Sequence, residues 1–437
     1  MEEKNRPNIV LVIVDAFRPK HLSLFGYENE TDKNLKNLAK DSILFRKAIS
    51  TSNSTVPSLN SIFTGLYPPN HGVVHQFPYT TEEEIDKFDR VNLWMPTFLK
   101  NLGYETMALD WLGMWYKKGF DYYKEKEDKK SLMQKIISSP KVKQILLKLP
   151  NWAYKFGKSV FKTRSSTPFT PSSETVKLAI SKIKKAKKPF FLFMHFWDTH
   201  FPFPTTKYSG SEEKDIDRIL ENVKSDSQKE YIKKRITDIG LESTKDIIRK
   251  YDLTIKNIDD GIKKIIKTLK NQGVWENTIF IVMGDHGDSF TEHGVYFSHS
   301  GLFDETIHVP MIMHIPGISQ KETEELVQNV DIFPTIAEIL GENINENIDG
   351  VSLLPLVKEN ISVRDKAFSW DGLSKSIKSV RTKKRKLILS EDETCNLCKS
   401  SHHKKAEEYD LERDAGETEN IFRGESELSK SFDEDKI

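Results

Sequence analysis

Three unbroken apolar runs, each stopping at a carboxylate or a histidine, constrain this chain more than any other feature. Ile9 to Val14 runs straight into Asp15, and Ile279 to Met283 runs through Gly284 into Asp285 and His286. Phe190 to Met194 runs into His195, with Asp198 and His200 just beyond. Continuous rather than alternating hydrophobicity requires cover on both faces of a strand, the situation of parallel strands between helical layers. In open sheets of that kind, ligands sit beyond the carboxyl ends of the strands. The three polar ends are therefore expected to meet at one site. Taken singly, an aspartate after a strand has a simpler reading, as the cap of the next helix.

The intervening segments agree with this layout. Tyr251, Ile255, Ile258, Ile262, Ile265 and Leu269 step by three and four, and the stripe stops at Asn271-Gln272-Gly273. A second helix is expected after Ser172-Ser173-Glu174, with Val176, Ile180 and Ile183 on its apolar face. Strand–helix–strand alternation predicts an α/β fold, a three-layer α/β/α sandwich around a mostly parallel sheet. A catalytic domain over 1–345 and a small α+β C-terminal subdomain over 346–437, with a short antiparallel sheet, is the expected division.

Basic and acidic residues nearly cancel, 66 Lys and Arg against 65 Asp and Glu, so charge offers no reason to expect a nucleic-acid partner. No apolar stretch approaches the ~20 residues of a membrane span, and none precedes Asn8 as a signal would. Two cysteines in 437 residues argue for a reducing compartment. The expectation is a cytoplasmic protein without a transmembrane segment.

Between the first strand and the next helix lies Ser54-Thr55-Val56-Pro57-Ser58-Leu59, followed by Asn60 to Pro68. Pro57 suits a first helical turn, Gly65 the exit, and Pro68 blocks continuation. Thr55 is thus placed at a helix N-terminus, where the dipole and unpaired amides favour an anionic ester and an alkoxide. A threonine there is more often a cap.

These motifs together resemble the sulfatases of the alkaline phosphatase superfamily. The resemblance runs through Asn8 to Asp15, Arg18, His21-Leu22 and Gly26-Tyr27. It continues in Thr55 to Leu59 on the Cys/Ser-X-Pro-X-Arg nucleophile segment, then Thr64-Gly65-Leu66-Tyr67-Pro68. Later matches are Gly284 to Asp288, Glu292-His293-Gly294, Ser298 to Gly301, Asp349 to Leu354, and Tyr409 to Glu412. It implies an alkaline-phosphatase-like sandwich in which Asp15, Asp285, His286 and the Thr55 hydroxyl hold one divalent cation (Mn, Mg, Zn or Ca). His200 and His299 fall where sulfatases carry a histidine and a lysine that act on the leaving group. His195, Asp198, His200 and His299 are alternatively substrate ligands or hold a second metal. His71, His293 and Arg18 are expected in supporting positions.

Two departures bear on the substrate. Sulfatases convert the motif's Cys or Ser to formylglycine, and threonine, with its β-methyl, cannot yield that aldehyde. The family's arginine position is Leu59. Threonine nucleophiles occur in relatives that work on phosphoesters. The expected activity is therefore hydrolysis or transfer of a phosphoester or phosphodiester through a covalent Thr55 intermediate. The alternatives are a divergent sulfatase without formylglycine and a catalytically silent binding protein on the same fold. The expected substrate is a small-molecule, glycan or lipid-linked anionic ester.

Residues 125–170 form an expected insertion whose 129–164 stretch is basic and amphipathic, suited to peripheral contact with an anionic membrane or to a lid. A charged helical insertion is expected over 205–250. Cys395-X-X-Cys398 with His402-His403, in the loop of a hairpin, has three readings: a zinc knuckle, a disulfide, or free thiols. The polar stretch after Ile421 is expected to fray.

Overall fold

Continuous hydrophobicity in the three runs becomes three adjacent strands of one sheet. The computed structural model describes residues 6–124, 170–187, 189–211, 213–374, 376–391 and 394–434. Its larger sheet has eight strands: β1 (Asn8–Val14), β2 (Ile43–Ile49), β3 (Glu105–Leu109), β4 (Tyr122–Lys124), β5 (Phe190–Phe196), β6 (Thr278–Gly284), β7 (His308–His314) and β8 (Lys321–Gln328). Their order is β4-β3-β5-β1-β6-β7-β2-β8, and every described neighbour pair is parallel except the two made by β7. Every residue of β1, β5 and β6 is buried, as covering both faces requires.

The two faces carry separate cores. Val10, Val12 and Val14 pack with Leu192 and the long helix, whereas Ile9, Leu11 and Ile13 pack with Phe191, Phe193 and the helix that begins at Thr55. Period-2 alternation within a fully apolar strand thus assigns each residue to one layer. The helices used below are α1 (Thr55–Thr64), α2 (Ser172–Lys185), α3 (Asp226–Ile239) and α4 (Thr244–Asn271). On α4 the expected stripe is buried from Tyr251 to Leu269 and ends as foreseen, with Gly273 at φ +65°. Gly65 closes α1 in the left-handed conformation, φ +71°, which a β-carbon would strain.

A second sheet is antiparallel, in the order β12-β11-β10-β9: β9 (Ala367–Trp370), β10 (Ile377–Arg381), β11 (Arg385–Ser390) and β12 (Ala406–Asp410). Trp370 also bridges to Ser52, just before the Thr55 helix. The described residues after Ile421, through 434, are tied down rather than frayed. Phe432 is buried against Phe368 at 5.6 Å, in a cluster with Val380 and Leu387, so aromatic burial ties down a segment that looks polar in sequence. The expected basic insertion lies outside the described residues, apart from Thr170 at its end. In the charged region, α3 is anchored rather than loose: Ile232 is buried, Tyr231 donates to the Phe297 carbonyl, and Gln228 donates to that of Gly294. Among the described residues, no helix is long and apolar enough to cross a membrane.

Candidate functional site

Register in the sheet decides which polar residues meet. Ile13 lies opposite His195, Val14 opposite Gly284, and Leu109 opposite Met194. Because β3, β5, β1 and β6 are neighbours, Asp110, His195, Asp15 and Asp285 stand side by side at one end. The Thr55 helix is fastened to the same place. Ser50 Oγ and Ser58 Oγ both donate to the Asp285 carbonyl, at 2.5 and 2.7 Å. Thr55 Oγ1 then lies 3.3 Å from Asp15 Oδ2 and 3.2 Å from His286 Nε2. Asp15, Asp285 and His286 offer ligand atoms that all lie within 4.8 Å of one another.

Side-chain chemistry at this cluster asks for a cation. His286 Nδ1 is 2.7 Å from the Gly287 carbonyl, which fixes the proton there and leaves the Nε2 lone pair toward Thr55. Gly287 permits this turn because a β-carbon would stand 2.0 Å from the Glu305 carbonyl oxygen. Asp15 Oδ1, Asp285 Oδ2 and His195 Nε2 are buried and have no hydrogen-bond partner. His195 Nε2 is 4.0 and 3.9 Å from Asp15 Oδ2 and Asp285 Oδ2, too far for a hydrogen bond but a fitting span for ligands of one ion. Burial, followed by the charges of Asp285 and Asp288, pushes the Asp15 carboxyl well above its ordinary range. Unpaired buried carboxylates of this kind are costly unless they coordinate a metal. The residues present therefore fit a divalent cation.

Asp110, which sequence reading missed, orients His195. Its Oδ1 lies 3.0 Å from His195 Nδ1, and Trp197 Nε1 donates to the same oxygen at 3.4 Å. Burial alone would raise this carboxyl, but the His195 hydrogen bond and charge, with the Tyr123 hydroxyl, hold it below the usual range. A carboxylate on the far nitrogen of a metal-facing histidine sets its tautomer and orientation. Asp110→Asn should thus weaken metal affinity or turnover by about 10–100-fold. Metal titration and steady-state kinetics check this, and an effect below twofold on both would remove the assignment. A signal existed: Met107-Ala108-Leu109-Asp110 is a short apolar run ending in a carboxylate.

The remaining candidates divide. His299 joins the cluster, its ring 4.5 Å from that of His286 and its Nδ1 2.6 Å from the Asn53 carbonyl. His200 Nδ1 is 2.8 Å from the Phe201 carbonyl. Burial pushes His200 down to about 3 and His299 well below its ordinary value, so both are neutral at rest. Asp198 is not brought in. It caps α2 at the Ser172 amide, 2.9 and 3.0 Å, and accepts from Thr205. Asp198, His200 and His299 form no second ion-sized cluster among the described residues. Arg18 pairs with Glu292, His293 with Glu305, and His71 Nε2 sits 3.2 Å from the Pro57 carbonyl; all three are supports.

Two further differences from expectation concern charge. At the α1 N-terminus two amides are already engaged: Val56 N donates to Gln76 Oε1 at 2.8 Å and Ser58 N to the Ser54 carbonyl. Leu59 is fully buried in the core, and a cation comes instead from α3. The Arg235 guanidinium lies over the Phe201 ring at 4.7 Å, and its charge lowers the proton affinity of His200, His299 and Asp288.

The sulfatase family profile matches residues 7–342, well over half of the chain. The chain belongs to the sulfatase family. A second profile, the C-terminal part of N-sulphoglucosamine sulphohydrolase, matches residues 291–433. An arylsulfatase of Clostridium perfringens is 26% identical, over 96% of this chain and 91% of its own length. An ulvan-active sulfatase of Formosa agariphila is 24% identical over 82% of this chain. The aligned region takes in 66% of that relative and 32% of an extracellular sulfatase homolog of Drosophila melanogaster. Among solved structures, a 2-O GAG sulfatase superposes with TM-score 0.66 at 19% identity, covering 99% of this chain and 90% of the other. A phosphonate monoester hydrolase of Agrobacterium radiobacter gives 0.63 at 19%, covering 95% and 91%. The sulfatase-family fold of the alkaline phosphatase superfamily is thus the one observed here.

Proposed function

We propose that this sulfatase-family chain is a metal-dependent ester hydrolase or transferase that uses Thr55 as nucleophile on a phosphoester or phosphodiester. The observation that supports it is the Thr55 hydroxyl set between Asp15 and His286 beside two unsatisfied carboxylate oxygens. Asp15, Asp285, His286 and the Thr55 hydroxyl would hold the cation, and His195 Nε2 faces the same locus. A bound divalent cation would lower the pKa of the Thr55 hydroxyl and withdraw charge from the ester's non-bridging oxygens.

Thr55 Oγ attacks phosphorus, the bond to the leaving oxygen breaks, and that oxygen takes a proton. Water or an acceptor alcohol then attacks phosphorus and breaks the bond to Oγ, returning the threonine. His200 and His299, neutral at rest, suit accepting the proton of the incoming water. An anionic ester beside them favours their protonated forms, which readies one to donate to the leaving oxygen. The Arg235 charge opposes that protonation and balances the ester's own charge.

Threonine favours phosphorus over sulfur. A sulfatase releases sulfate from its aldehyde hydrate by elimination, and a plain threonine ester has no such exit. The second reading, a sulfatase without formylglycine, is supported by the sulfate-ester relatives. Matched aryl phosphate, phosphodiester and sulfate esters, assayed after chelation and metal add-back, separate the two. At least a tenfold preference for a phosphorus ester is expected, and a tenfold preference for sulfate would overturn it. The low cysteine count, two in 437 residues, supports a cytoplasmic setting for this reading.

A further inference from the structure

Both cysteines of the chain lie in one buried knuckle that the reaction does not use. Thr394 and Ser401 bridge antiparallel and close a short loop on the β11–β12 hairpin. Within it Cys395, Cys398 and His402 bring two sulfurs and an imidazole nitrogen within 4.8 Å of one another. Cys398 Sγ is 2.9 Å from His402 Nε2. The Leu397 amide donates to Cys395 Sγ at 3.3 Å, a contact that stabilises charge on sulfur. His403 is turned away, with Nδ1 on Glu407 at 2.6 Å and Nε2 accepting from the Leu302 amide.

We propose that Cys395, Cys398 and His402 bind a borderline-soft divalent cation, zinc by its ligand chemistry, separate from the cation held at Thr55. Cys-X2-Cys with a histidine four residues further on has the short ligand spacing of a structural zinc knuckle. Thiolates select such metals over the hard cations that carboxylates prefer. Three protein ligands leave the fourth position to water or an added donor.

The ion would brace the walls of the catalytic cleft. Cys395 Sγ is 3.0 Å from Ser300 Oγ, the residue after His299. The Asn396 amide donates to the Leu373 carbonyl, and Gly372 donates to Asn53, which precedes Ser54 and Thr55. Ser400 Oγ donates to Ser225, the cap of α3. One small loop therefore touches the His299 segment and the cap of the helix bearing Arg235, and reaches the Thr55 segment through Leu373 and Gly372.

The test uses the full chain carrying Asp285→Asn, which removes a ligand of the other cation. Reconstitution with cobalt(II) should give about one ion per chain and a thiolate-to-cobalt charge-transfer absorption. Adding Cys398→Ser should abolish the band, and adding His402→Ala should weaken binding at least tenfold, both with unchanged far-ultraviolet dichroism. Should the serine variant fail to fold, the cobalt spectrum of the parent chain decides alone. Absence of the band while both thiols titrate in denaturant would overturn the proposal. So would finding no titratable thiol in denaturant without reductant, which would assign the pair to a disulfide.

Discussion

Replacing Thr55 with alanine should lower turnover by about four to six orders of magnitude, the cost of losing a nucleophile, while the fold persists. Thr55 is buried, and its hydroxyl faces Asp15 and His286 rather than capping the helix. Thr55→Ser keeps the hydroxyl and should retain activity within about a hundredfold. The neighbouring Ser54 is the natural rival, since its Oγ is also buried nearby. That oxygen lies 3.1 Å from Asn53 Oδ1 and 3.5 Å from His299 Nδ1, turned from Asp15 and His286. Ser54→Ala should therefore cost far less than Thr55→Ala. Acid-quenched chain from a turnover mixture should carry the transferred group on the peptide containing Thr55. Equal activities for Thr55→Ala and the parent would end the nucleophile assignment, and a larger loss in Ser54→Ala would move it by one residue.

What could be read before any coordinates were known was whatever rests on periodicity and strand ends. β1, β5 and β6 announce themselves because a fully buried strand has no polar face to confuse its pattern. The α4 stripe does so because 28 residues give many turns over which period 3.6 repeats. Asp110 escaped because β3 has only five residues and opens with Glu105 and Thr106, so its apolar run is three residues long. Arg235 escaped for another reason. On a helix as charged as α3, nothing in the sequence tells which cation faces inward, and only tertiary packing over Phe201 and Tyr231 decides. Asp198 shows the reverse error: a carboxylate in the right neighbourhood whose hydrogen bonds go to a helix start. Phe432 shows how one aromatic residue can anchor a stretch whose average polarity suggests otherwise.

The same cluster yields a prediction in which the order of stability reverses. In the chelated protein, Asp15 and Asp288 are buried beside other carboxylates, and Asp288 is pushed up to about 6 by burial. A carboxyl whose folded-state pKa is raised binds more protons when folded than when unfolded. Stability then falls as pH rises from the ordinary carboxylate value through the raised one. The contribution of these two carboxyls to the chelated chain's stability should accordingly shrink as pH climbs from about 4 to about 6, and further as Asp15 ionises. It runs against the opposite trend from buried histidines such as His200 and His299, whose lowered proton affinity adds stability over the same range. Asp15→Asn removes one of these charges and should raise the melting temperature of the chelated protein at pH 7.

With the cation restored the order should invert. A ligand at a hundredfold excess over its Kd stabilises the folded state by about 2.7 kcal/mol, and the parent chain gains this while the variant, short of one carboxylate, gains little. Turnover of the variant should fall by more than the about 10–100-fold expected from losing an orienting residue such as Asp110. Differential scanning fluorimetry of both proteins, with and without added Mn, Mg, Zn or Ca, supplies the four melting temperatures. The physical claim lies in the crossing: carboxylates that repel one another in the chelated protein become the ligands that stabilise it. If Asp15→Asn melted lower than the parent in chelator and in metal alike, Asp15 would be an ordinary structural aspartate, and the unpaired oxygens at the sheet's edge would need a partner other than a cation.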